Sequence, residues 1–331
     1  MLHHILSFLS QKEAIQTCVL SKSWRYLGST RPNFECCERW FNADKQTFVS
    51  AMDKILHRYH DQKLSIQEFI LEMSMGDSES ISFFEKWIPL VMLNMGVNTF
   101  SFKDVSYFWA RFALPSLVYK VEFVKELNLN RCKLSQINPL DKTFEKIMSS
   151  CPLIEDVNLH GCEGLKTIKV NKAHNLKYFY FFNNLMPKNE DDRSIEIDAI
   201  TLESISILCC WNWFRHGKYF PYLKCLHLDE VRLSTKSFDS FSCNYPCLEK
   251  LSLIYCHGFE EIQLLSHSIK FLAISVDMPI RLLLMPHTYS TLNSEAIFCH
   301  QSLLKQLPVS GSQIYACRIL WIPIMMLRHG S

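Results

Sequence analysis

The sequence predicts an α/β chain: a short helical segment over residues 1–40, an irregular repeat solenoid over 41–276, and a stretch, 277–331, assigned to no repeat. In the solenoid a parallel sheet lines the concave face and helices lie outside. Three observations predict this. An amphipathic stripe and a helix-capping pattern open the chain. A Pro-x-Leu-x-x-Leu-x-Leu frame, with Ile or Val at some leucine positions, recurs three times, and looser copies surround it at intervals of 21 to 31 residues.

The helical segment comes first. Leu2, Ile5, Leu6 and Leu9 recur at i, i+3, i+4 and i+7, one face of a helix. Ser10-Gln11-Lys12-Glu13 has the capping-box form, in which hydroxyl and carboxylate satisfy the orphan amides of a second helix carrying Ala14, Ile15, Cys18 and Val19. A third short helix runs through Ser21-Lys22-Ser23-Trp24-Arg25-Tyr26-Leu27 and stops at Gly28. Three helices this short leave apolar surface uncovered. Either the following domain or a second protein covers it.

The repeats follow. Cys151-Pro152-Leu153-Ile154-Glu155-Asp156-Val157-Asn158-Leu159, Phe220-Pro221-Tyr222-Leu223-Lys224-Cys225-Leu226-His227-Leu228 and Tyr245-Pro246-Cys247-Leu248-Glu249-Lys250-Leu251-Ser252-Leu253 share one frame, the core of a leucine-rich repeat. Weaker units start at Ile66, Val97, Val124, Leu176, Leu202 and Ile269, with apolar residues at i, i+3 and i+5. In a chain that is 48% apolar such spacing arises by chance in roughly one window in nine, so the proline-bearing units carry the claim. Each unit supplies a strand with i+3 and i+5 turned into a stacked core. The i+8 position also turns inward, at Cys132, Cys162, Asn184, Cys210 and Cys256. Thr143 to Met148 has helical spacing and belongs to the outer face.

Composition narrows function. Charged residues make up 21% and net charge is +2, so nothing draws the whole chain onto nucleic acid or a membrane surface. The stretch Ile319 to Leu327 is too short to span a bilayer, which takes about 20 residues. The N-terminus lacks the form of a secretory signal, so the chain is expected to be intracellular with its 14 cysteines reduced. No phosphate loop, dinucleotide fingerprint, nucleophile elbow or His-Glu-x-x-His pair occurs. Cys243, Cys247, Cys256 and His257 suit zinc loosely, yet Cys256 already has a place in the repeat core and the residues between belong to a strand. The aromatic run Trp211 to His216 suits stacking on a ligand less well than core packing. No catalytic residue, metal or cofactor is expected.

The string Ile5-Leu6-Ser7-Phe8-Leu9-Ser10-x-Lys12-Glu13-Ala14, continuing into Val19-Leu20-Ser21-Lys22-x-Trp24-Arg25-Tyr26-Leu27, resembles the F-box of plant F-box/leucine-rich-repeat proteins. Phe48-Val49-x-x-Met52-x-x-Ile55-Leu56 and Phe84-x-x-Trp87-Ile88 are similar to segments these proteins carry between F-box and repeats, so the resemblance covers residues 1 to 276. It implies a non-catalytic substrate-recognition adaptor of an SCF-type cullin-RING ubiquitin ligase. The F-box would dock on the ligase's small adaptor subunit through Leu2, Ile5, Leu9, Val19, Ser21 and Trp24, and internal packing is the alternative role for each. The family's F-box opens with a Leu-Pro pair upstream of the residue that is Met1 here. A second expectation is therefore a repeat module for protein interaction that no longer engages the ligase.

The repeats would hold a protein substrate. Positions i+4 and i+6 point out of the sheet. Among them Asn128, Asn158, His160, Tyr180, Phe182, Leu208, His227, Asp229 and Ile254 form the candidate substrate surface, an apolar stripe flanked by polar groups.

Overall fold

The computed structural model describes residues 13, 21, 22, 31–41, 44–106, 112–115, 118, 122–134, 143–165, 167–171, 173–183, 194–209, 212–213, 219–233, 244–258, 261–264, 268–275, 281–284 and 297–299. The chain divides into two compact units: residues 1–185 with 197–199, and residues 186–196 with 200–331. Of the helices expected before residue 30, only Glu13, Ser21 and Lys22 lie within the described residues, with Glu13 and Lys22 helical; the rest lies outside them.

The first unit runs β1 (Asn33–Cys37), a 3-10 turn (Glu38–Phe41), α1 (Lys45–Asp61), β2 (Glu68–Met73), α2 (Ser78–Asn94), β3 (Thr99–Asp104), β4 (Glu126–Asn130), α3 (Thr143–Ser150), β5 (Asp156–His160), β6 (Thr167–Asn171) and β7 (Tyr178–Asn183). Six strands pair in parallel in the order β1-β2-β3-β4-β5-β7. Helices α1, α2 and α3 lie between β1 and β2, β2 and β3, and β4 and β5, because a parallel connection must cross back over the sheet. The side chain of Asp44 caps α1 through the Thr47 amide, and Asp77 caps α2 through the Ser80 amide at 2.8 Å. Helix α1 buries Phe48, Val49, Met52, Leu56 and Tyr59, and α2 buries Phe83, Phe84, Trp87, Ile88 and Val91. Asp53 on α1 ties the two helices together, accepting from Trp87 Nε1 at 2.7 Å and from Lys86 Nζ at 2.6 Å.

The inward positions stack rung on rung. Phe34, Phe69 and Phe100 lie in register, with ring centroids 5.4 and 6.1 Å apart and nearly parallel rings. Leu127, Val157 and Phe179 continue that row, and Leu71, Phe102, Leu129, Leu159 and Phe181 form its neighbour, all buried. This is the i+3 and i+5 core the spacing predicts.

The second unit contains β8 (Ser194–Asp198, whose last residues count with the first unit), β9 (Ser204–Cys209), β10 (Asn212–Trp213), β11 (Cys225–Asp229), β12 (Arg232–Leu233), β13 (Lys250–Ile254), β14 (Glu261–Leu264), β15 (Phe271–Ser275), β16 (Arg281–Leu284) and β17 (Ile297–Cys299). Strands β9-β11-β13-β15-β17 form a parallel sheet. Its core rows are Ile205, Leu226, Leu251 and Leu272, then Ile207, Leu228, Leu253 and Ile274. Each residue of the proline frame has a set place in this packing. The residue before each proline is buried (Cys151, Phe220, Tyr245), the one after it is exposed (Leu153, Tyr222, Cys247), and the next is buried (Ile154, Leu223, Leu248). Phe220 and Tyr245 stack at 5.7 Å.

Strand ends share one device. Arg131, Gly161, Glu230 and Tyr255, all at i+7, have positive φ between 49° and 60°. Each turns its amide onto the i+6 carbonyl of the next rung, at 2.8, 2.7, 2.8 and 2.6 Å. A non-glycine residue in this conformation costs about 1–2 kcal/mol, offset by a hydrogen bond worth about 1 kcal/mol and by the packing that the turn permits. At the next position the buried thiols of Cys162 and Cys256 approach the Leu129 and Leu228 carbonyls of the preceding rung at 3.4 Å. Cys132 is buried as well, whereas Cys210 and Asn184 lie outside the described residues.

Three expectations need correction. The sheet begins at β1, inside the segment assigned to the helical region. Arg31 stands where every other unit has an aliphatic leader, and a charged residue there hides the frame although Arg31 itself is buried. The outer face is not helical throughout: β6, β8, β10, β12, β14 and β16 occupy it in the later repeats. Segments such as Ile168-Lys169-Val170 and Ile195-Glu196-Ile197 alternate β-branched with polar residues, a period that suits a strand. Finally, residues 281–284 and 297–299, within the stretch assigned to no repeat, do contribute to the sheets, since β16 pairs with β14 and β17 with β15.

Candidate protein-interaction surface

Period two along each strand leaves every second residue on the open side of the sheet. In the first unit, Asn128, Asn158 and Tyr180 lie in register on neighbouring rungs, and so do Asn130, His160 and Phe182. All six are half-buried. The His160 imidazole stacks on the Phe182 ring at 4.4 Å, forming a flat shelf beside Tyr180. In the second unit Ser206, His227 and Ser252 form one row, and Leu208, Asp229 and Ile254 the next, so that Asp229 stands between two aliphatic side chains.

The substrate-surface residues read from sequence are thus outward-facing as expected, in one row pair per unit. Of the adaptor-docking residues, Ser21 is exposed. Leu2, Ile5, Leu9, Val19 and Trp24 lie outside the described residues.

Electrostatics add what the i+4 and i+6 positions alone did not reveal. Position i+2 also faces outward, and there the first unit carries Glu68, Glu126 and Asp156. Burial raises the Asp156 carboxyl to about 6, with repulsion from Glu126 adding to it. Burial also raises Glu68, with Glu126 and Glu35 adding to the shift and Arg31 opposing it. Period-two alternation could have located these residues; only the register sets Glu126 beside Asp156.

In the second unit, burial lifts the Asp229 carboxyl to about 6, assisted by the Glu230 charge and opposed by the Glu230 amide. Its Oδ1 atom is sealed from solvent with no hydrogen-bond partner among the described residues, and so is Oδ1 of Asn130 in the first unit. Burial lowers the His227 imidazole, which stays neutral near pH 7.

Along the leading edge of the strands, position i+1 carries alternating charge. Lys177 Nζ lies 2.7 Å from Glu155 and Lys125 3.9 Å from it; in the second unit Lys224 meets Glu203 at 2.7 Å and Lys270 meets Glu249 at 3.0 Å. These exposed pairs contribute little energy individually, but they oppose a one-rung slip, which would set like charges together.

The surface offers shape, stacking and hydrogen-bond acceptors. Among the described residues no group of three or more His, Cys, Asp or Glu side chains is placed to hold a metal ion. Cys256, considered for zinc, turns its thiol toward the Leu228 and Ile254 carbonyls instead. Among the described residues no helix is long and apolar enough to cross a membrane.

The chain is 29% identical over 188 residues to F-box/LRR-repeat protein 25 of Arabidopsis thaliana, covering 52% of this chain and 69% of that protein. It is 29% identical over 187 residues to a putative F-box protein of the same plant, covering 52% and 45%. A further Arabidopsis F-box/LRR-repeat protein matches at 27% identity over 263 residues, covering 72% of this chain and 48% of that protein. The chain spans less than half the length of the latter two. No family model and no solved structure matches it. The resemblance to plant F-box/LRR-repeat proteins is borne out by these relatives, and the parallel strand-per-repeat architecture is consistent with it.

Proposed function

We propose, from kinship with the plant F-box/LRR-repeat proteins as the premise, that this chain is a non-catalytic substrate-recognition adaptor of an SCF-type cullin-RING ubiquitin ligase. The observation that carries this reading is the similarity to several plant F-box and F-box/LRR-repeat proteins across about half of the chain. The N-terminal segment docks on the ligase's small adaptor subunit through Leu2, Ile5, Leu9, Val19, Ser21 and Trp24, and the outward-facing rows of the sheets hold a protein substrate. The mechanism is proximity: substrate lysines are held at high effective concentration near the ubiquitin-loading machinery. No residue of this chain forms or breaks a bond, no cofactor enters, and the site of action is intracellular.

The test is binding of the full chain to the small adaptor subunit, measured by calorimetry, beside the Trp24→Ala and Leu9→Asp variants. Micromolar or tighter binding that both variants lose supports the ligase reading. Absence of binding by the full chain removes it and leaves a repeat module for protein interaction.

A further inference from the structure

We infer that the open sheet faces select a basic partner: an extended substrate segment whose arginine or lysine side chains enter the acceptor-rich rows and whose alkyl stems lie on the His160–Phe182 shelf. This rests on the proposal that these faces hold substrate, and it adds the chemistry of what is held.

Charge complementarity is the first argument. On the outward positions of β1 to β5 and β7, the first unit presents five carboxylates, Glu35, Glu68, Glu72, Glu126 and Asp156, against one ammonium, Lys103. Lys103 already faces Glu72 at 3.4 Å. The whole chain is slightly cationic, so this excess is local to the face. Among the described residues no cation pairs with Asp156 or Glu126, and the Glu126 charge adds to the cost that burial places on ionising Asp156. A partner cation would relieve that cost, and a partner carboxylate would add to it.

The second argument is independent of net charge. Among the described residues the buried Oδ1 atoms of Asn130 and Asp229 accept no hydrogen bond, in different units and on the same i+6 position of their repeats. A buried acceptor without a donor is a standing cost that a donor-bearing ligand removes. Guanidinium and ammonium groups bring donors and no acceptors. Around Asp229 the neighbours Leu208 and Ile254 are aliphatic, which suits the methylene stem of such a side chain.

Third, the shelf itself is of the right kind. The His160–Phe182 stack and Tyr180 present aromatic area one or two rungs from Asn130, and on the same strand as Asp156 and the next, a setting in which a cation can bind an aromatic face and a carboxylate together.

The probe is an array of randomised nine-residue peptides, screened with the full chain and with Glu126→Gln/Asp156→Asn and Asp229→Asn variants. These isosteric changes remove charge while keeping shape, and thermal melting checks that each variant is folded. Enrichment of Arg and Lys by the full chain, with affinity for the best peptide falling roughly tenfold in the first-unit variant or in Asp229→Asn, is the expected result. Absence of enrichment, enrichment of acidic peptides, or basic binding unchanged in both variants overturns the inference. The same preparations are tested for adaptor binding. Adaptor binding without basic selection leaves the ligase reading standing and this inference refuted; basic selection without adaptor binding does the reverse.

Discussion

Leu159→Ala is the most direct test of the rung-on-rung core. Leu159 is fully buried at the i+5 position of β5, with Leu129 and Phe181 in register on the two adjacent rungs. Truncation to alanine removes three carbons. At about 0.8 kcal/mol per buried carbon the transfer loss alone is about 2.4 kcal/mol. The parallel sheet holds both neighbours in place, so the void closes only partly and the cavity adds about 1 kcal/mol or more, for a total near 3–4 kcal/mol. The control is Asn158→Ala on the same strand, one residue away and outward-facing, where a surface change should stay within about 1 kcal/mol. Urea denaturation followed by circular dichroism measures both. A loss below 1 kcal/mol for Leu159→Ala, or a larger loss for Asn158→Ala, would refute the inward and outward assignment of the repeat.

Two further predictions come from other parts of the molecule. Gly258 has φ +94° and a Cβ there would collide with the Leu233 carbonyl, whereas Gly96, at φ +74°, has open space around it. Gly258→Ala should therefore lower the melting temperature markedly more than Gly96→Ala, which carries only the left-handed penalty of about 1 kcal/mol; equal effects would count against the close approach. The second concerns pH. Asp156 and Asp229 titrate near 6 in the folded chain and near 3.9 when unfolded. The native state then holds more protons between these values, so these two groups make stability fall as pH rises from about 4 to about 6, with no further change from them above it. Asp229→Asn should remove that fall at its position and stabilise the chain at pH 7.5 by about 1 kcal/mol, after discounting for partial exposure of the group. Urea midpoints at pH 4.5 and 7.5 measure it, and a destabilised variant at pH 7.5 would show that the carboxylate has a partner after all.

Much of this molecule is legible in the order of its residues because a repeat stack is nearly one-dimensional: each rung touches its neighbours, and period two along the strand decides what faces in. The proline frame located three rungs, and the leaders at Ile66, Val97, Val124, Leu176, Leu202 and Ile269 each precede a strand with buried i+3 and i+5 positions. The inward cysteines and the outward rows were readable for the same reason. Three things were not. Arg31 conceals the first rung, because pattern alone treats a charged residue as exposed and only the packed sheet shows it buried. Helix or strand on the outer face is settled by how many residues remain between turns, which spacing within a rung does not state. Above all, Glu126 and Asp156 stand 30 residues apart in the chain and side by side in the sheet. The sequence alone thus determined the repeat and which side of each strand is wet. Tertiary structure decided the register between rungs, and with it the local field, because Coulombic coupling and desolvation depend on distance and burial in space, not on separation along the chain.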